Sequence, residues 1–167
     1  EPISFDVTLK SWGRISEPIS AFYGQVNGTE IANWWSSCHT RLFSKNIRSI
    51  LGSTEINNEI KATLVNAPEK FWYYNNGITI VAKSVKKKLQ HGSNTDIGIF
   101  HCSDVSIVNG AQTVSTIGRY SEDLVKDVGD VFVQVRIISL EETQGHFETA
   151  VTRNNNRQNS KKYKAKG

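Results

Sequence analysis

Val105 to Val108 is an apolar run that passes directly into Asn109-Gly110, after which Val114, Ile117 and Tyr120 mark one face of a helix. A strand that hands its chain to a helix through so short a turn constrains the architecture strongly, because both elements must then share one core. The rest of the pattern agrees. Ile3, Phe5, Val7 and Leu9 alternate with polar residues at the period of a half-buried strand. Val131 to Ile138, apolar at six of eight positions, predicts a central strand buried on both faces. The fold class is read as α/β, with α+β as the alternative: a single domain over residues 1–160 with a mixed β-sheet flanked by helices.

Helices are expected between these strands. The apolar stretch Ile19 to Val26 follows a turn-rich segment, Ser11 to Pro18, and ends at Asn27-Gly28, which leaves Thr29 to cap a helix. Ile31, Trp34, Trp35 and Cys38 give that helix an apolar stripe. A second helix is expected from about Glu55 to Asn66, capped by Ser53 and Thr54, with Ile56, Ile60 and Leu64 recurring every four residues and Pro68 closing it. Phe71 to Tyr74 and Gly77 to Lys83 read as strands flanking Asn75-Asn76-Gly77. A last helix is expected from Glu141 to about Asn154, with Leu140, Phe147, Ala150 and Val151 inward.

Charge narrows the partners. The net charge is +4, and Lys161, Lys162, Lys164 and Lys166 alone account for it, so everything before Ser160 is neutral. The basicity belongs to the tail at 161–167, expected to begin a linker, and to the run Lys86 to Lys88, not to a surface crossing the domain. No apolar run approaches the roughly 20 residues that cross a bilayer, and a cytoplasmic location is expected, with no membrane partner. Cys38 and Cys102 lack CxxC spacing and are expected to be buried free thiols. The absence of methionine, the start at Glu1 and the lysine-rich end predict a piece of a longer protein.

Three Asn-centred clusters lie where apolar elements end: Asn75-Asn76-Gly77, Asn109-Gly110-Ala111-Gln112-Thr113, and Arg153 through Asn159. In the second, a strand feeding a glycine turn aims the free N–H groups of the next helix outward, which suits an anion. Gly110 allows close backbone approach, and Gln112 and Thr113 add side-chain donors. The same residue types also serve simply to cap a helix. No GxxxxGK[ST] phosphate loop is present. Asn75-Asn76-Gly77 reads equally well as a type I′ hairpin turn or as part of a ligand site. Asn154 to Asn156 fit a fraying helix end, while Arg153 and Arg157, four apart, would place two guanidinium groups on one side. An upstream segment, Leu42 to Arg48, adds Asn46 and Arg48. For the aromatic run Phe71 to Tyr74, core packing is favoured over base stacking.

No catalytic constellation is evident. His39, His91, His101 and His146 show no paired metal-ligand spacing, Asp104, Glu141 and Glu142 lack a nuclease-like lysine strand, and no serine sits in a nucleophile elbow. No metal site is expected.

Four blocks, LFSKNIRSILG (42–52), INNEIKATL (56–64), FWYYNNGITIVA (71–82) with IVNGAQTVSTI (107–117), and VTRNNNRQN (151–159), resemble the abortive-infection phage-resistance proteins, abbreviated AIPR. The resemblance spans about Phe43 to Asn159 and implies a role in bacterial defence against phage, without implying a defined reaction. Members are longer than this chain, which agrees with a fragment. More distantly, IVNGAQTVSTI is similar to the turn and helix of ParB-like domains, where the corresponding segment contacts a nucleotide, and RNNNRQN is similar to their second motif. Thr113 stands where an Arg would be expected, which weakens NTP hydrolysis more than nucleotide binding.

The leading expectation is a nucleotide, with or without Mg²⁺, held by Asn109, Gly110, Gln112 and Thr113, with Asn75, Asn76, Arg153, Asn155 and Gln158 completing a polar pocket. Asn46 and Arg48 are further candidates. The alternatives are a DNA- or RNA-binding module supported by Lys86 to Lys88 and the tail, and a scaffold that senses a phage component or companion defence proteins.

Overall fold

The computed structural model describes residues 2–44 and 54–166, with side chains described in the last helix up to Arg157. Five strands, β1 (Phe5–Ile15), β2 (Ala21–Asn27), β3 (Ile78–Lys87), β4 (Ile97–Asn109) and β5 (Phe132–Ser139), close into a barrel in the order β1-β2-β5-β3-β4. Every neighbouring pair is antiparallel except β3 and β5, which run parallel with Ile78 opposite Val135 and Thr79 opposite Arg136. The sheet is thus mixed, as expected, and closure leaves no strand edge unpaired.

Closure gives each strand an inside and an outside. Val7 and Leu9 of β1, Val26 of β2, Ile80 of β3, Phe100 and Ile107 of β4, and Val133, Val135 and Ile137 of β5 fill the interior. The expectation that β5 is buried on both faces is therefore corrected: Arg136 on its outer side is exposed, and Phe132, Gln134 and Ile138 are only partly covered. One end is closed by aromatic rings, with Phe100 against Phe22 at 4.7 Å and Trp12 edge-on to Phe100 at 5.2 Å. Ser11 to Pro18 is a turn only in its second half, where the chain bends at Glu17 to Ile19. Its first half is strand, since β1 runs on to Ile15 with an irregular register between Lys10 and Gly13 and Ser11 at φ +49°.

Helix α1 (Gly28–Cys38) starts one residue before the expected cap. Asn27, not Thr29, is the cap: its Oδ1 accepts from the Thr29 amide at 2.9 Å, and its Nδ2 donates to the Gly129 carbonyl at 2.8 Å. Ile31, Trp34 and Trp35 are buried as their spacing predicts, whereas Cys38 is only partly covered and Cys102 is buried. Helix α2 (Thr54–Asn66) matches its expected span, with Leu64 buried. Ser53, expected to help cap it, lies outside the described residues.

Phe71 to Tyr74 overturns the strand reading. It forms one helical turn, α3 (Phe71–Tyr74), continuing from a 3₁₀ turn at Pro68–Lys70, so Asn75-Asn76-Gly77 joins a helix to β3 and is not a hairpin. Core packing, favoured for the whole run, holds for Phe71 alone. Four consecutive aromatics carry neither helical nor strand period, and the proline three residues upstream starts the helical backbone.

Helix α4 (Ala111–Asp123) follows β4 directly and packs against α1 and α2. The Trp35 ring lies on Gly118 so closely that a Cβ there would come within 2.2 Å of it, and Phe43 and the Arg119 guanidinium approach the same ring. Helix α5 (Gly145–Lys166) begins later and runs further than expected, along β4. Leu140 to Thr143 stay in a turn closed by the Thr143 amide and hydroxyl on the Leu140 carbonyl. Asn154 and Asn155 sit inside the helix, not at its end, each donating its side-chain amide to the carbonyl four residues back. Among the described residues, no helix is long and apolar enough to cross a membrane.

Candidate functional site

The turn between β4 and α4 requires glycine. Gly110 caps α4 at φ +93°, a left-handed conformation, and no side chain caps the helix in its place. A Cβ on Gly110 would lie 2.6 Å from the Gly77 carbonyl oxygen, and one on Gly77, itself at φ +88°, would lie 2.6 Å from the Gln134 carbonyl oxygen. Two Asn-Gly segments more than thirty residues apart in sequence are therefore in backbone contact, beside the parallel pair β3 and β5.

Asn75 holds this junction. Its Oδ1 accepts from the Gly77 amide at 2.8 Å, making a local turn, and its Nδ2 donates to the Thr113 hydroxyl at 3.0 Å in the first turn of α4. Asn76, by contrast, is exposed at the cavity. On β5, Arg136 reaches back across the strand pair and donates from Nε to the Thr79 hydroxyl at 2.9 Å.

These groups line one cavity of about 670 Å³. Asn75 to Thr79 form one wall and Asn109 to Thr113 a second, Gln134 and Arg136 form the strand side, and Ile56, Glu59, Ile60 and Thr63 of α2 face them. Tyr74 stands at its edge. Its size lies within the range of small-molecule sites, about 300–1,000 Å³. Of the residues expected from sequence, Asn75, Asn76, Asn109, Gly110, Gln112 and Thr113 are brought together here.

The third cluster is not. Arg153 is exposed on α5, Asn155 bonds back to its own helix, and neither is among the lining residues, so the pocket is not completed from α5. The Gln158 side chain, Asn46 and Arg48 lie outside what is described. Sequence reasoning missed Gln134 and Arg136. The signal was available, because two polar residues two apart in an otherwise apolar strand share one face, and that face cannot be the barrel interior.

The lysine run offers little free charge nearby. Lys86 pairs with Glu141 at 3.1 Å and Lys88 with Asp6 at 2.6 Å, while the Lys87 ammonium donates to the Lys88 and Gly92 carbonyls. From Thr79 to Lys86 is seven residues along β3, roughly 23 Å at the strand rise. Among the described residues, no group of His, Cys, Asp and Glu is gathered to hold a metal ion.

No curated protein and no solved structure matches the chain, and the likeness to ParB-like domains gains nothing from these comparisons. The AIPR protein model, in contrast, matches residues 43–165, a span that takes in both Asn-Gly walls of the cavity. The chain belongs to the AIPR family, and that membership supports a role in phage defence by abortive infection.

Proposed function

We propose that this domain binds a nucleotide or another phosphate-bearing ligand in the cavity between the start of α4 and the Asn75–Gly77 segment, as the ligand-responsive part of a phage-defence protein. The observation that carries the reading is the meeting of two distant Asn-Gly segments around one polar cavity at a helix N-terminus that no side chain caps. Helix N-termini favour anions through their free amides and the helix dipole. Asn76 and Gln112 add amide groups to the same lining.

A ligand that binds only the folded state raises its melting temperature. ATP, GTP, CTP and UTP, each at millimolar concentration with Mg²⁺, are expected to do so for at least one base. No shift with any of them overturns the nucleotide reading. Asn76→Ala separates ligand binding from scaffolding: because Asn76 is exposed, the variant should melt with the wild type in buffer and lose part of the nucleotide shift. A variant that melts lower but keeps the whole shift would make Asn76 structural. Binding to DNA or RNA that falls steeply with salt would instead favour the nucleic-acid module.

A further inference from the structure

Resting on that reading, we propose that the ligand is a free nucleotide recognised at both ends, with its base stacked on Tyr74 and its phosphate held by Arg136. Three consecutive aromatics stand exposed beside the cavity: Trp72 at 39%, Tyr73 at 74% and Tyr74 at 64%. Their helical backbone matters here. Successive side chains on a helix turn by about 100°, so burying Phe71 turns Trp72 and Tyr73 away from the core and brings Tyr74 back toward the Phe71 side, where both line the cavity. Trp72 is tied to the cavity wall, since its indole donates to Gln134 at 3.1 Å and meets Tyr73 edge-on at 5.2 Å. Tyr74 is the member of this group that lines the cavity. An exposed ring at a polar cavity offers a face for stacking, which every nucleobase can use.

Arg136 supplies the other end. Thr79 takes its Nε–H, so the terminal guanidinium nitrogens remain to donate, and no carboxylate pairs with Arg136 among the described residues. A guanidinium fixed at Nε presents a planar edge suited to phosphate oxygens. On the α2 side, Glu59 contributes a carboxylate to the lining.

The test is calorimetric titration of the folded domain with the four nucleoside triphosphates and with inorganic tripolyphosphate. Tyr74→Ala should weaken the best nucleotide about tenfold, since stacking on an aromatic contributes roughly 1–3 kcal/mol per base. It should leave tripolyphosphate unchanged. Tyr74→Phe, which keeps the ring, should bind like the wild type. Arg136→Gln should weaken nucleotide and tripolyphosphate alike, by about tenfold or more. Nucleotide binding that is indifferent to Tyr74→Ala and Arg136→Gln overturns this proposal while leaving the phosphate-site reading intact. Absence of binding by any nucleotide overturns this proposal, and absence of binding by tripolyphosphate as well overturns both. Tighter binding of single-stranded oligonucleotides than of free nucleotides would also overturn it, in favour of a strand-binding surface.

Discussion

Replacing Gly110 with alanine should cost about 3 kcal/mol of stability, through two contributions that can be separated. A residue with a Cβ at φ +93° carries about 1 kcal/mol or more of backbone strain. The added methyl would also sit 2.6 Å from the Gly77 carbonyl oxygen and 3.0 Å from the Ile78 Cα and Cγ1. Backbone atoms at the start of a paired strand cannot swing aside as a flexible side chain would, and overpacking of this kind costs about 1–3 kcal/mol. For a domain of this length each kcal/mol lowers the melting temperature by about 2–4 °C, so Gly110→Ala should melt about 6–12 °C below the wild type. Gly92→Ala is the control. Gly92 also has positive φ, +54°, but a Cβ there meets nothing within 4 Å, so it shows the strain alone, about 1 kcal/mol. Calorimetry on the two variants isolates the contact between the two Asn-Gly segments as their difference. Should Gly110→Ala melt no lower than Gly92→Ala, the close approach of Gly77 to Gly110 does not exist in solution, and the cavity argument loses its foundation.

Gly118→Ala sets helix propensity against sterics: alanine gains about 1 kcal/mol in a helix, but its Cβ would overlap the Trp35 ring at 2.2 Å. The overlap should win, with urea denaturation showing a net loss of about 1–2 kcal/mol and nucleotide affinity unchanged. Two carboxylates give opposite pH slopes. Burial pushes the Glu30 carboxyl up more than the Thr8 amide bond at 2.9 Å pulls it down, so the stability it supplies is present below the ordinary glutamate value of about 4.3 and is lost as pH rises through the folded value. Glu30→Gln should flatten that alkaline-side decline in denaturation midpoints. The Lys88 hydrogen bond, aided by His101, holds Asp6 down against desolvation, so its contribution is present above the ordinary aspartate range and is lost as pH falls; Lys88→Met should lessen this acid-side loss. Burial also pushes the Cys102 thiol up to about 12, so a disulfide reagent should label the partly exposed Cys38 in the native protein and reach Cys102 only on unfolding. Equal labelling rates for the two thiols would contradict the burial of Cys102.

The parts of the fold that the sequence announced are those whose signals are local. The passage from β4 through Gly110 into α4 is complete within about fifteen residues: an apolar run, a residue free to take positive φ, and a helical stripe at Val114, Ile117 and Tyr120. Helix α2 likewise carries its own period and its own proline stop. What was hidden depends on distant partners. Nothing within β3 says that it lies parallel to β5, which follows more than forty residues later, and barrel closure depends on that pairing. The aromatic run failed for another reason, since a strand and a single helical turn need the same residue types over four positions, and Pro68 decided between them from outside the run. In α5, asparagines that disfavour helix interiors were read as an end, yet their amides bond to carbonyls of the preceding turn and the helix continues.

The same division explains why the candidate site was only partly legible. Asn75 and Asn76 are adjacent and chemically identical, but the fold gives them different tasks. Asn75 has used its acceptor on Gly77 and a donor on Thr113, so its side chain builds the wall; Asn76 is left exposed at the cavity. Sequence shows two asparagines where a turn needs one, and the hydrogen bonds show which of them is surplus. Arg136 follows the mirror logic. Along the chain it looks like an intrusion into a core strand, but once β5 curves into a barrel the alternation that buries Val135 and Ile137 must turn Gln134 and Arg136 outward, beside Thr79. A positive charge on that outer face is therefore a consequence of closure, and its position at the cavity follows from the parallel pairing that sets Arg136 opposite Thr79. The cavity is thus positioned by the parallel pair of the sheet, whose partners lie more than fifty residues apart, while the residues most easily recognised in it belong to its most local unit.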